Sequence, residues 1–245
     1  MSPATDRPVL WVTGAGSGIG RAVAVRAAAG GSRVVLSGRR AEALHETGGL
    51  VAAAGGESLA VPVDATDAAA VRAAHESVIA AWGGVDALVL AAGLNTPQRY
   101  WRDQSIEEFE AILATNLTAV ARLVDVVLPG MRAAGSGHVV IVSSYAGWRF
   151  TPHAGVAYSA SKSALAALCQ SLNQQEAGNG IRSCHLCPGD VDTDFLRMRP
   201  QVPDEVARRT MLSPDDVASA VLYVLGTPAH LRIDELVISP LSQTG

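Results

Sequence analysis

The chain has 245 residues, of which 49% are apolar and 17% charged, enough to bury a sizeable core in one large domain or two small ones. A net charge of −4 excludes any global electrostatic case for nucleic acid or an anionic membrane as partner. Cys169, Cys184 and Cys187 are too few, and odd in number, for a disulfide framework, so a reducing cytoplasmic location is expected.

The N-terminal "MSPATDRP" is short and polar, unlike a signal peptide. No apolar run approaches the ~20 residues that span a bilayer. Strand-like and helix-like segments then alternate along the chain. "PVLWVT" (8–13) is an apolar run ending in glycines. Residues 18–30 are Ala-rich, with Ile19, Val23 and Ala27 on one helical face. "RVVLSG" (33–38) reads as a second strand and 40–54 as a helix anchored by Leu44, Leu50 and Val51. "SLAVPVD" (58–64) is a third strand, which Pro62 assigns to an edge or a strand end. A helix over 67–82 and a strand "DALVLAAG" (86–93) follow. Residues 105–131 read as one long helix opened by a Ser105/Glu108 capping box. A strand "GHVVIVSS" (137–144), a helix over 156–177 and a strand "IRSCHLCPG" (181–189) come next. A helix over 213–225 behind a Ser-Pro-Asp start and a strand "IDELVISP" (233–240) complete the pattern. Solid Val/Leu/Ile strands are those expected when helices cover both sheet faces. The pattern predicts an α/β fold: a single doubly wound Rossmann-type domain over 1–245, with a mostly parallel seven-stranded sheet.

The first strand–helix junction reads Thr13-Gly14-Ala15-Gly16-Ser17-Gly18-Ile19-Gly20. Glycines permit a tight turn and a close backbone approach to phosphate, and the helix N-terminus adds partial positive charge. A glycine-rich turn alone is weak, but its place at the first strand of a βαβ series strengthens the case for a dinucleotide. The second strand ends Ser37-Gly38-Arg39-Arg40. A carboxylate at its end would bind ribose hydroxyls and repel a 2′-phosphate; Gly38 removes that repulsion, and Arg39 and Arg40 offer phosphate-matching charge. The plain alternative is two arginines that cap a strand and start a helix.

Tyr158 and Lys162, in "AYSASK", stand four apart on one helical face. A cation beside a phenol lowers its pKa from ~10 toward the working range of a proton donor and acceptor. An isolated pair at this spacing is more often a surface contact. Pro188-Gly189 at a strand's C-terminal end is a turn, placed where ligands bind in open α/β sheets.

With the Gly14/Gly18/Gly20 spacing, these residues make the chain resemble the short-chain dehydrogenase/reductase family over essentially its whole length. The resemblance implies a catalytic set of Asn116, Ser144, Tyr158 and Lys162. Ser144 would bind the substrate oxygen, and Asn116 would hold a water beside Lys162. Ser144 precedes Tyr158 by one residue more than is usual in the family, and Ser143 is the runner-up. The family's cofactor contacts fall on Gly14, Ser17, Gly18, Ile19 and Gly20, on Gly38, Arg39 and Arg40, and on Asp64 and Ala65 near the adenine. They continue through Ala91 and Gly93 at the fourth strand, Tyr158 and Lys162, and Pro188, Gly189, Val191 and Thr193 around the nicotinamide. Leu90-Ala91-Ala92-Gly93 stands where the family shows Asn-Asn-Ala-Gly, and Asn95 is a conceivable substitute for the lost amides.

The function implied is an NADP(H)-dependent oxidoreductase that interconverts an alcohol and a ketone or aldehyde. NAD(H) use, or a regulatory protein that senses nucleotide without turnover, are the alternatives. The cofactor half covers about 8–140, and the substrate side covers about 145–155 and 190–212, with 194–212 as a mobile cover. Tyr100, Trp101, Trp148, Phe150, Phe195, Leu196 and Met198 would wall an apolar pocket, with His153 at its edge. By resemblance, pairing of the helices at 105–131 and 156–177 implies a homodimer or homotetramer. "CHLC" (184–187) invites a metal, but Cys184 and Cys187 point to opposite faces of a strand, which favours a buried structural role and no metal.

Overall fold

The first strand, β1 (Val9–Thr13), is buried along its whole length, as a solid apolar run between two helical layers should be. The computed structural model describes residues 7–243; residues 1–6, on which most of the signal-peptide expectation rests, lie outside the described residues. The chain continues through α1 (Gly18–Ala29), β2 (Arg33–Gly38), α2 (Ala41–Ala53), β3 (Glu57–Pro62), α3 (Ala68–Trp82) and β4 (Ala87–Leu90). Then come α4 (Ile106–Leu113), a π-helical turn (Ala114–Thr118), α5 (Ala119–Ala134), β5 (Gly137–Val142), α6 (Tyr145–Trp148) and α7 (Val156–Glu176). The last elements are β6 (Ile181–Pro188), a 3₁₀ turn (Asp194–Met198), α8 (Glu205–Arg208), α9 (Pro214–Leu225) and β7 (Glu235–Ile238).

The strands form one sheet in the order β3-β2-β1-β4-β5-β6-β7, and every neighbouring pair is parallel. β3 is an edge strand and ends at Pro62, where a missing N–H breaks no central ladder. Trp11, Leu88, Leu123, Val127, Ile141 and Leu165 form the core on one face. Leu10, Val12, Val23, Leu44, Leu186 and Val221 form it on the other. Each such side chain contributes about 1.5–3 kcal/mol on burial. The chain winds outward from β1 to β3, then returns to place β4 on the other side of β1. This reversal opens a crevice at the C-terminal ends of β1 and β4, where open α/β sheets bind ligands.

Three expectations need correction. Leu50 is 46% exposed and anchors nothing, while Ala43, Leu44, Thr47 and Val51 carry the buried face of α2. The helix expected over 105–131 is interrupted by the π turn and runs on to Ala134. Apolar periodicity does not reveal which carbonyl each N–H bonds, so a π turn is invisible to it. By length and composition alone, Ile106–Ala134 also passes for a membrane span, contrary to the reading that no run came close. Its Val120, Leu123, Val124, Val127 and Met131 face the core.

Candidate active site

The cleft begins at the β1–α1 turn. Gly14 has φ +65°, and a Cβ on Gly20 would lie 2.4 Å from the Gly14 carbonyl oxygen, so neither position tolerates a side chain. Ser17 precedes α1 without a side-chain cap, and no acid occupies the first turn. The early amides of α1 therefore remain available where Ser17, Gly18, Ile19 and Gly20 line the cleft. With the positive helix end, they form a donor set for a diphosphate.

The next stretch of wall is Gly38, Arg39, Arg40, Asp64 and Ala65. A methyl on Gly38 would meet only Leu44 Cδ2, at an ordinary 3.6 Å, so the space beside this strand end is open. Arg39 and Arg40 are exposed, and neither makes an ion pair among the described residues. Asp64 Oδ1 accepts from Thr66 N at 2.9 Å and from Thr66 Oγ1 at 2.7 Å. These bonds, with a smaller contribution from Arg39, hold its carboxyl below the ordinary range. A dinucleotide therefore fits the wall: amides for its diphosphate, room at Gly38, and unpaired guanidiniums beside that room.

The end of β4 is tied to β1 through its backbone amides. Ala91 N and Ala92 N donate to Thr13 Oγ1 at 3.1 and 3.3 Å. Asn95 does not serve the adenosine side. It is buried, donates to Ala154 O at 3.0 Å and accepts from Thr96 N, tying together two substrate-side loops.

The proposed catalytic residues converge beyond β4. A methyl on Gly93 would lie 3.8 Å from each of Asn116 Oδ1, Lys162 Nζ and Phe195 Cε2. Asn116 sits in the π turn with its side chain bonded three times. Its Oδ1 accepts from Leu94 N at 2.7 Å, while Nδ2 donates to Leu94 O at 2.9 Å and Ser161 Oγ at 3.1 Å. The side chain thus splices the β4 exit to α7, with both Nδ2 protons used and one acceptor site of Oδ1 left over. Lys162 Nζ lies 5.7 Å from the Tyr158 ring centroid and donates to Val142 O at 3.0 Å. Burial pulls the Lys162 ammonium down to about 8. The two serines divide their work. Ser143 is buried and donates to Lys162 O at 3.1 Å, whereas Ser144 lies at the cleft and caps α6 by accepting from Ala146 N.

Burial raises the Tyr158 phenol above its ordinary value, against opposing influences from Ser144, Arg199 and Arg99. The sequence-based expectation was a phenol lowered by Lys162. Loss of hydration outweighs the neighbouring cations, and the two arginines that oppose it lie on loops where sequence gives no spacing rule.

Pro188, Gly189, Val191 and Thr193 line the cleft on the far side. Gln243, near the C-terminus, accepts from Asp190 N at 2.9 Å and packs on Gly189, a contact with no sequence signal. The cover over 194–212 is tied to the residues that follow β6. Arg199 pairs with Asp190, Arg208 with Asp192 at 2.6 Å, and Val191 bridges to Leu212. Phe195 packs 5.9 Å from the Tyr158 ring, and Leu196 is buried. Tyr100, Phe195, Leu196 and Met198 line the cleft, but Trp101 and Trp148 do not, and Phe150 at its edge is 85% exposed. His153 is an exposed edge residue.

Cys184 and Cys187 are both buried, with thiols pushed up to about 12. The compact group on these strands is instead His185, Cys187 and Glu235, whose ligand atoms lie within 4.8 Å of one another. His185 Nδ1 pairs with Glu235 at 3.1 Å and lies 3.4 Å from Cys187 Sγ.

Residues 8–203 match the model of the short chain dehydrogenase family, and the chain belongs to it. It is 36% identical to glycine betaine reductase ATRR of Emericella nidulans over 98% of this chain, but spans only 19% of that protein. It is 31% identical to uncharacterized oxidoreductase MW2403 of Staphylococcus aureus, covering 98% of this chain and all of the relative. Among solved structures, a serine dehydrogenase in closed form with NADP+ superimposes with a TM-score of 0.87 at 31% identity, covering 97% of this chain and 96% of that one. The chain is thus an oxidoreductase of CH–OH and C=O groups with a nicotinamide dinucleotide as cofactor.

Proposed function

We propose that the protein interconverts an alcohol and a ketone or aldehyde with NADP(H). One observation carries this: the cleft that holds Tyr158, Lys162 and Ser144 at one end holds the uncapped α1 and unpaired Arg39 at the other. Gly14, Ser17, Gly18, Ile19 and Gly20 would hold the diphosphate, and Asp64, Ala65, Ala91 and Gly93 the adenosine half. Pro188, Gly189, Val191 and Thr193 would flank the nicotinamide, which when bound supplies or accepts the hydride. Tyr158 gives its proton to the nascent alkoxide in reduction and takes the hydroxyl proton in oxidation. Ser144 orients the substrate oxygen. Lys162 places a cation behind the phenol and stabilises its anionic form. Asn116 fixes the β4 exit against α7 and so sets the position of the other three. The cofactor half is about 8–140 and the substrate side about 145–155 and 190–212.

A panel of carbonyls and alcohols, run with NADPH and again with NADH, tests this. Turnover with NADPH is expected, and tight NADPH binding with no turnover on any substrate would instead favour nucleotide sensing. Arg39→Ala is expected to weaken NADPH by about 10–100-fold, as for loss of a charge-assisted bond, and NADH far less. Equal losses for both cofactors would assign Arg39 to strand capping alone. Ser144→Ala is expected to lower kcat/KM for the carbonyl by about 10–100-fold with little change in thermal stability. Ser143→Ala should reverse that balance, because it unpairs a buried bond to Lys162 O.

We place the enzyme in the cytoplasm, where its three free cysteines stay reduced. We also propose a homodimer or homotetramer through α4–α5 and α7, where Leu128 and Leu168 are only partly buried. Light scattering on the purified chain checks it.

A further inference from the structure

Arg99 lies in the loop between β4 and α4, a place where a charged residue would ordinarily reach solvent. It is instead 4% exposed. Its Nε donates to Thr96 O at 2.9 Å, one terminal nitrogen to His153 O at 3.4 Å, and the other to Met198 O. These carbonyls join the three substrate-side loops, but none carries a formal charge. Among the described residues, Arg99 makes no ion pair with a carboxylate. Three of its five N–H groups are used, which leaves two donors. Buried charges in proteins are generally paired, because an isolated ion out of water is strongly disfavoured.

The position of Arg99 is rigidly tied to the reacting end of the cleft. Val156 N donates to Arg99 O at 2.9 Å, so the start of α7 is anchored on this residue two positions before Tyr158. A Cβ on Gly155 would lie 2.6 Å from Arg99 Cβ, so the two segments are in close contact. Arg99 lines the same cleft as Tyr158, and each acts electrostatically on the other. Arg199, next in sequence to the Met198 carbonyl that Arg99 binds, is paired with Asp190. The charged groups around the phenol are therefore three cations, Lys162, Arg99 and Arg199, against one carboxylate, Asp190, an excess of positive charge. A structural tie between loops needs donors but not a charge. The unbalanced cation calls for an anion that arrives with the substrate.

We propose that the substrate carries a carboxylate received by Arg99, with Arg199 beside it, so that the enzyme acts on small hydroxy and oxo acids in preference to neutral alcohols and ketones. This rests on the oxidoreductase function proposed above. The carboxylate would draw the free donors of Arg99 into charge-assisted bonds and leave the reacting carbon toward Tyr158 and Ser144. The apolar wall of Phe195, Leu196 and Met198 then faces the carbon chain.

The test uses the full chain with NADPH. Pyruvate, acetoacetate and levulinate are compared with their methyl esters, and dihydroxyacetone phosphate with dihydroxyacetone. The acids are expected to exceed their esters in kcat/KM by about 10–100-fold, chiefly through KM. Arg99→Met should bring the acid-to-ester ratio close to one, and Arg99→Lys should keep part of it. Arg199→Met changes a half-exposed residue, leaves the core untouched and should lower the same ratio by a smaller factor. A purely structural role would depress acid and ester together and leave the ratio fixed. Ester turnover equal to acid turnover, or a ratio unmoved by Arg99→Met and Arg199→Met, overturns the proposal. So does a preference confined to dihydroxyacetone phosphate. No turnover of any ketone despite NADPH binding defeats the oxidoreductase function and this proposal with it, whereas ester turnover without acid preference defeats this proposal alone.

Discussion

Tyr158→Phe is expected to lower kcat by about 100- to 10,000-fold, the range lost with a general acid–base group, while NADPH still binds. The substitution is well suited to this position. Phenylalanine keeps the ring that packs 5.9 Å from Phe195 and removes only the hydroxyl. That hydroxyl is the group whose ionisation burial makes hard, so its loss removes a dehydrated polar group and should not lower the unfolding temperature. Ser144 remains able to orient a substrate oxygen, and Lys162 keeps its bond to Val142 O. What disappears is the proton carrier. Steady-state turnover by NADPH absorbance, paired with a fluorescence titration of NADPH, separates the two effects. Turnover above a tenth of wild type would show that another group moves the proton. Other titratable groups on the cleft wall, His153 and Asp190 among them, would then need the same treatment.

The parts of this site that sequence disclosed are those governed by short, rigid spacings. Gly14 and Gly20 were readable because a strand–helix turn leaves no room for side chains there. Tyr158 and Lys162 were readable because four residues make one helical turn. The β-α alternation was readable because strands covered on both faces must be apolar throughout. Groups fixed by tertiary contact were not. Arg99 is a loop arginine in sequence and a buried guanidinium in the fold, and only the meeting of three loops produces that change. Thr13 ties down the backbone at the end of β4 because β1 and β4 are neighbours, which local sequence does not state. Asn116 looked like a polar residue in mid-helix. The π turn and its three side-chain bonds explain it, yet neither leaves a trace in apolar periodicity. Trp101 and Phe150 erred the other way: aromatic character suggested a pocket wall, and both lie largely in solvent.

Lys162→Met is expected to abolish the pH dependence that a dehydrated lysine imposes on folding, besides crippling turnover. The Lys162 ammonium is 4% exposed and is pulled from 10.5 to about 8 in the folded protein. Between those values the unfolded chain binds the proton and the folded chain does not, so stability rises with pH across this window. Below about pH 8 both states are protonated and the full penalty of the buried charge applies. Above 10.5 it is gone. At about 1.4 kcal/mol per pKa unit, the change across the window is about 3 kcal/mol. The wild type alone will not display it cleanly. The Cys169 thiol is pushed up to about 11, and those of Cys184 and Cys187 to about 12. In the unfolded chain these thiols ionise near 9, which lowers folded stability as pH rises above that value. The two trends oppose each other, but Cys169 and Cys184 are common to wild type and variant, so the difference between the proteins reports Lys162 together with its coupling to Cys187. The lost bond to Val142 O is independent of pH and drops out of the slope. Urea unfolding of both proteins at intervals from pH 7 to 10 should show a constant difference up to about pH 8 and wild-type stability gaining on the variant above it. A difference constant over the whole range would mean that Lys162 is hydrated in solution. A hydrated ammonium could not act on the Tyr158 phenol with the strength that a proton donor raised by burial requires.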